Sequence, residues 1–302
     1  MENRTVGIIC HGGAGTIIDK PAYADGLKTA IEEGYRLLRQ GASAMDAVLK
    51  AVVMLEDNPV FNAGTGSSLT IDGTLEMDAG IMCQNGRFGG VLCIRGVKNP
   101  ILVAERVMTE TDHLILAGDG AIGFARKMGF AVYEMITERA RERLEEVKKA
   151  GSPFFPKINR QIIAGTEKLG TVGAVAIDRN GNIVAATSSG GIVGRMTGRV
   201  GDSGILGAGI FASPYGGISC TGHGEEILRM LLAKDIVDRM KTLPASTAIT
   251  LALAEAKQKK VLCGAIGFDA RGVIGYGYTT PDMAYGYKVA DRLFLFTDGK
   301  KV

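Results

Sequence analysis

Glycine in this chain gathers in short clusters set against small polar residues: HGGAG from His11, FNAGTGSS from Phe61, GTVGAVA from Gly170, TSSGG from Thr187, GRVGDS from Gly198 and CTGHGE from Cys220. The 302 residues hold 43 glycines, about twice ordinary usage. They follow no three-residue period, which excludes a collagen-like chain. Such clusters predict tight turns and places where main chain approaches something closely.

The remaining composition narrows the class. The chain is 46% hydrophobic, ample for a buried core. Its net charge is only +3 and it has no Trp, so neither a field for nucleic acid nor stacking platforms are indicated. No apolar run reaches the ~18 residues of a membrane span. The first apolar stretch is short for a secretory segment, so a cytoplasmic protein is expected. The five cysteines are scattered, with no CxxC pair, which argues against both a disulfide framework and a zinc ribbon.

Periodicity places the elements. Thr5–Cys10 reads as a buried strand ending in HGGAG. Tyr23–Arg39 and Ser43–Leu55 read as helices, the second with Ser43 as N-cap and Asp46 at N3. Ser68–Cys93 alternates around Asp72-Gly73 and Asn85-Gly86, as antiparallel strands do. Pro100–Met108, Ala121–Met128, Gly224–Lys241 and Ala245–Lys257 are further helices, and GAIGFD with VIGYGYTT forms a late hairpin. Thr137–Lys149 carries nine charges, a solvated helix that, with the residues to 169, reads as a flexible linker. Helices flanking clusters of mostly antiparallel strands give an α/β (α+β layered) class rather than a doubly wound parallel sheet.

Motif chemistry is bounded first by what is missing. The chain has no GxxxxGK[ST], GxSxG or HExxH, GGAGTI lacks the third glycine of GxGxxG, and there are only three histidines. What remains is hydroxyls beside glycines. In the hairpin around Asn180-Gly181, Thr171 faces Gly190 if the loop has two residues. It faces Ser189 if Gly181 forms a bulge. Either way TSSGG lies beside Thr171. On that spacing alone, a strand end capping its own backbone explains it as well. Arg199 and Asp202 could hold the two ends of a zwitterion or form an ordinary ion pair.

Taken in order along the chain, HGGAGTI, FNAG, GTVGAVAID, TSSGG, GRVGDS and CTGHGE resemble the plant-type L-asparaginase/isoaspartyl aminopeptidase family of N-terminal-nucleophile hydrolases. The resemblance runs from about His11 to the C-terminal hairpin. It implies a four-layer αββα sandwich and a single domain that cleaves itself at Gly170–Thr171 into an α chain (1–170) and a β chain (171–302). It also implies a variable linker, about 137–169, and a homodimer of αβ units. By resemblance Thr171 is the nucleophile, and its freed α-amine is its own base. Ser189, where the family usually has Thr, bonds the nucleophile. Thr221 and Gly222 form the oxyanion hole, and Asn62 orients the nucleophile or a water. Arg199 clamps the substrate α-carboxylate, and Asp202 with the Gly224 carbonyl receives the α-ammonium. The substrates implied are asparagine and isoaspartyl dipeptides. No cofactor is required, but Leu55–Thr65 resembles the family's structural Na⁺ loop, with main-chain ligands at Leu55, Glu56, Asn58, Phe61, Ala63 and Thr65. On sequence alone a plain helix-to-turn connection fits that stretch equally well. His223 reads as structural. Gly194-Arg195 departs from the more usual Asn-Lys. A glycosylasparaginase-like hydrolase and a non-catalytic binder of a small anion are the competing readings.

Overall fold

Runs such as Val172–Ile177 are apolar at every position, so a strand built from them must be covered on both faces. The computed structural model, which describes residues 6–134, 136–150 and 170–299, shows how this is met. In chain order the first part holds β1 (Gly7–Gly15), α1 (Lys20–Arg39), α2 (Ala44–Asp57), β2 (Met77–Cys83), β3 (Phe88–Ile94), α3 (Pro100–Glu110), β4 (Ile115–Ala117), α4 (Gly118–Lys127) and α5 (Glu138–Ala150). The second holds β5 (Val172–Ile177), β6 (Ile183–Ser189), β7 (Ile210–Ser213), β8 (Gly216–Gly222), α6 (Gly224–Met230), α7 (Leu232–Arg239), α8 (Ala245–Gln258), β9 (Cys263–Asp269), β10 (Ile274–Tyr278), β11 (Asp282–Val289) and β12 (Arg292–Phe296).

Eight strands form one sheet in the order β12-β11-β1-β5-β6-β2-β3-β4, and four form another in the order β10-β9-β8-β7. Among these described strands only β3–β4 pairs in parallel. Side-chain alternation sorts each central strand to two cores. Val172, Ala174 and Ala176 join Leu27, Val48 and Val52 beneath α1 and α2. Val175 and Ile177 join Ile210, Ile266 and Phe268 between the sheets. A third core packs Ile218, Cys220 and Ala265 against α7 and α8. The layers are therefore αββα, as expected. Among the described residues no helix is long and apolar enough to cross a membrane.

Local signals held where they were self-contained. Ser43 and Asp46 form the capping box of α2, and β2–β3 turn at Asn85-Gly86. Three expectations are corrected. β1 does not stop at Cys10: it runs on through HGGAG to Gly15, bulging between His11 and Gly13 while paired with β11. The region 68–75 forms no strand, making only the isolated bridges Leu69↔Leu75 and Thr70↔Arg195. It turns instead toward a neighbouring loop, where Ile71 N–H donates to Arg195 O at 2.7 Å. The helix expected over Gly224–Lys241 breaks at Leu231 (φ 47°, ψ 47°). There the first amides of α7 leave the helical pattern, Ala233 and Lys234 donating to Ala208 O and Gly207 O. The charged segment forms α5, which buries Ala140 and Leu144 against Leu69; the rest of the expected linker, 151–169, lies outside the described residues.

Two aspartates tie hairpin turns to helix starts in the same way. Asp178 Oδ1 accepts from Asn180 N–H and Asn182 N–H, and its Oδ2 from Ala44 N–H at the start of α2. Asp269 repeats the pattern with Arg271, Val273 and Ala245 at the start of α8. Replacing Asp178 with Ala strands three amides. Urea denaturation should show a loss of about 2 kcal/mol of stability; an unchanged midpoint would remove Asp178 from its assigned place as a clamp.

Candidate active site

The hairpin register decides between the two alternatives for Thr171. Val172 pairs with Ser188 and Ile177 with Ile183, so the loop has three residues, closed by Gly181 at φ 80°. Thr171 consequently faces Ser189, and its Oγ1 donates to Ser189 Oγ at 3.0 Å. Ser189 Oγ is itself fixed by Gly191 N–H at 3.0 Å. Both residues are almost wholly buried.

Asn62 lies in the turn after α2. Its Nδ2 donates to Gly170 O at 2.8 Å and to Gly191 O at 2.7 Å, while its Oδ1 accepts from Ser68 N–H at 2.8 Å. The amide is fully used, and its donor end holds the carbonyl of the Gly170–Thr171 peptide. A cleft where the ends of both sheets meet is lined by Gly170, Thr171, Ser189, Arg199, Asp202, Gly222 and Gly224. With Gly170 in place its free space is only about 10 Å³, the room one water needs. Thr221 is not on that wall: it is fully buried, and its Oγ1 accepts from Ala14 N–H at 3.2 Å. Its own proton is left for another acceptor.

Arg199 and Asp202 converge on the slot beside Gly224. A Cβ at Gly224 would lie 2.7 Å from Arg199 Nη2 and 2.9 Å from Asp202 Oδ1, so glycine keeps the slot open. Arg199 donates Nε and Nη2 to Glu225 Oε1 and Oε2 at 2.9 and 2.7 Å. This fork orients the guanidinium along one edge. Asp202 Oδ2 is buried without a hydrogen-bond partner among the described residues. Burial pushes the Asp202 carboxyl up to about 7, against the pull of Arg199. An acid poised this way is matched to a ligand cation.

Residues that the sequence reading missed brace this slot. Glu225 closes the CTGHGE motif, but nothing in its spacing named Arg199 as partner. Asp78, on β2, accepts from Cys93 N–H and Gly201 N–H at 2.8 and 2.9 Å. Glu76 accepts from Gly198 N–H at 2.8 Å. Arg195 is 2% exposed, its guanidinium donating to the carbonyls of Ser68, Ile192 and Glu76. The departure at Gly194 has a reason: its φ is 71°, and a Cβ there would sit 2.6 Å from Val147 of α5. His11, unassigned from sequence, lies beside β5, paired with Gly173, with Nε2 2.9 Å from Ser219 Oγ, and Ser219 reaches Thr187 at 2.8 Å. Burial pushes His11 down to about 3, so it stays neutral. His223 caps α6, its Nε2 3.3 Å from Glu225 Oε2.

The loop after α2 suits a cation held by main-chain oxygens. The N–H that would close the Leu55 carbonyl belongs to Pro59, which has none. The one for Glu56, Val60 N–H, donates to Asn58 Oδ1 at 3.0 Å. A Cβ on Gly64 would lie 2.4 Å from Glu56 O, and one on Gly66 2.0 Å from Phe61 O. Carbonyls thus crowd the space the glycines leave, at the negative end of a helix. The Asn58 and Ala63 carbonyls each accept one amide, from Phe61 and Gly66, and keep a lone pair. Thr65 is buried with its Oγ1 3.3 Å from Tyr133 Oη. A set of neutral main-chain oxygens favours a hard, singly charged ion.

A family model described as asparaginase matches residues 4–296. The chain is 46% identical over 294 residues to a plant-type L-asparaginase of Pyrococcus horikoshii, covering 93% of this chain and 96% of that one. It is 43% identical over 242 residues to an isoaspartyl peptidase/L-asparaginase of Xenopus laevis, covering 78% and 75%. A mouse protein of the same description is 41% identical over 266 residues, covering 83% and 78%. The family match runs through both sheets and every residue of the cleft, and the chain belongs to the asparaginase family.

Proposed function

We propose that this chain is a self-processing threonine amidohydrolase. It cuts itself between Gly170 and Thr171, then hydrolyses L-asparagine to aspartate and ammonia and cleaves β-aspartyl dipeptides. The names of its relatives support the substrate class. The observation that carries the reading is the Thr171 hydroxyl aligned on Ser189 while Asn62 grips the Gly170 carbonyl.

In processing, Thr171 Oγ1 adds to the Gly170 carbonyl carbon, and Asn62 N–H stabilises the oxygen as charge develops. The C–N bond breaks, the Thr171 nitrogen takes the hydroxyl proton, and an ester joins Gly170 to Oγ1. Water hydrolyses that ester, leaving a Gly170 carboxylate and Thr171 with a free amine and hydroxyl. The amine, with an ordinary pKa of about 7.7–8.0, then takes the Oγ1 proton as general base. This needs no histidine, in keeping with a neutral, buried His11. Departure of Gly170 also opens the cleft, whose free space otherwise admits no amino acid.

In turnover, Arg199 holds the α-carboxylate, and Asp202 with the Gly224 carbonyl takes the α-ammonium. The side-chain amide is thereby presented to Oγ1. The oxyanion is received by Gly222 N–H on the cleft wall and, once departure of Gly170 uncovers it, by Thr221 O–H. Ammonia or an amino acid leaves, and water releases aspartate from the enzyme ester. Carbonyls of Leu55, Glu56, Asn58, Phe61, Ala63 and Thr65 would hold Na⁺, which when bound neutralises their converging dipoles. The loop's own task is to deliver Asn62.

Replacing Thr171 with Ala leaves a single 302-residue chain on a denaturing gel, where the parent gives two fragments. Cleavage persisting in the variant assigns the wrong nucleophile, and a parent that stays whole and inert on all aspartyl substrates favours the anion binder. Asp202 must be ionised to receive an ammonium. Its carboxyl sits at about 7, so competitive inhibition by L-aspartate should weaken roughly tenfold per pH unit below neutrality and level off above it. Asp202→Asn removes that limb; a flat parent profile across neutrality would refute the role. Thermal midpoints should be higher in sodium chloride than in choline chloride at equal ionic strength, and equal midpoints would dismiss the ion.

A further inference from the structure

Beneath β6, on its helical side, lies a carboxyl group that the chemistry above does not use. Glu56 is 0% exposed. Its Oε1 receives the Ser188 O–H at 2.6 Å and the Ile101 N–H at 3.1 Å. Its Oε2 has no hydrogen-bond partner among the described residues. Asn99, the N-cap residue of α3, makes no side-chain cap bond; its amide donates to Asp57 and also lies against the Glu56 carboxyl. The Glu56 carboxyl therefore stands in as the cap of α3. A single oxygen joins α2, α3 and β6.

A buried acid with an unused oxygen is an expensive way to fill space, and an apolar side chain of that volume would pack there at less cost. What the acid provides is a fixed position for Ser188. Along β6 successive side chains serve different layers: Thr187 bonds Ser219 between the sheets, Ser188 bonds Glu56 under the helices, and Ser189 bonds Thr171. Ser188 is also the pairing partner of Val172, the residue after the nucleophile. Any slide of Ser188 displaces both members of the Thr171–Ser189 pair.

We propose that Glu56 is a positioning residue for the nucleophile, acting through Ser188 to hold Ser189 in register with Thr171. The proposal rests on the reading of Thr171 as nucleophile and deepens it. Glu56 touches neither substrate nor reacting atoms, so its removal should slow chemistry and leave substrate capture by Arg199 and Asp202 intact.

The test compares full-length Glu56→Met, Glu56→Gln, Ser188→Ala and the double variant Glu56→Met/Ser188→Ala. Measurements are the self-cleavage rate, kcat and KM for asparagine per processed site, and the thermal midpoint. Glu56→Met should self-cleave and turn over roughly 10- to 100-fold more slowly at unchanged KM. Glu56→Gln, which keeps an oxygen for Ser188 and Ile101, should recover most of the rate. The double variant should be no slower than Glu56→Met, because both changes break one link. Folded Glu56→Met with parental kcat, a loss confined to KM, or multiplicative effects in the double variant would each overturn the proposal. If Glu56→Met does not fold, Ser188→Ala alone carries the same expectation of lowered kcat at unchanged KM. Should Thr171→Ala still cleave, the nucleophile assignment itself fails. An inert Thr171→Ala beside a parental Glu56→Met defeats only the inference about Glu56.

Discussion

The Thr171–Ser189 hydrogen bond exists because the β5–β6 hairpin closes with three residues rather than two. Gly181 in the left-handed region supplies the third, and the register it sets reaches the far end of the ladder unchanged. One residue fewer would set Thr171 against Gly190, which has no hydroxyl to align it. The turn is held in turn by Asp178, which also starts α2. Helix and hairpin are then fastened a second time at their other ends, through Glu56 on Ser188 and Asn62 on Gly170. From Ala44 to Glu56 a helix rises about 18 Å at ~1.5 Å per residue. From Asp178 to Val172 a strand runs about 20 Å at ~3.3 Å per residue. The two rods match in length, so fixing both ends fixes Thr171.

The binding slot is built on a different principle, buried charge in balance. Arg195 and Arg199 lie within reach of Asp78, Asp202, Glu76 and Glu225, and the shifts they share record it. Burial pushes Arg195 down to about 10, while Asp78 and Asp202 are raised. Each carboxylate except Asp202 is occupied: Asp78 and Glu76 accept main-chain amides, and Glu225 forks onto Arg199. Asp202 alone keeps a buried oxygen, Oδ2, without a hydrogen-bond partner among the described residues, while its Oδ1 borders the slot beside Gly224. A buried charge left unpaired is costly, and a cation brought to Asp202 would relieve that cost.

How far the sequence could be read follows from which interactions are local. Ser43 and Asp46 announced their capping box because both partners lie within one turn. The Thr171–Ser189 pairing was legible to within one residue, since a hairpin carries its register in its turn, yet only the structure chose the three-residue closure. The break at Leu231 was not legible: α7 is redirected by carbonyls of Gly207 and Ala208, more than twenty residues upstream. Glu225 stood in a recognised motif, but its partner Arg199 lies across the cleft. Glu56 was singled out for its carbonyl and not for its side chain, because Ser188 is 132 positions away. The continuation of β1 through HGGAG was hidden by glycines that look like loop, since pairing with β11 outweighs their weak strand preference.

That last point explains the composition from which the chain was first read. Glycine near the site serves close approach more than bending. At Gly173, the second residue of β5, a Cβ would lie 2.0 Å from Ser219 Oγ and 2.5 Å from His11 Nε2. The absent side chain is the space in which the His11–Ser219–Thr187 chain of hydrogen bonds sits. At Gly224 the same absence leaves room between Arg199 and Asp202. In both places the sheet or helix would gain from any larger residue as an element, and the site would lose the atoms it needs within bonding distance. The glycine clusters therefore mark where local stability yields to the geometry of the cleft, which is why they traced the site before any distance was known.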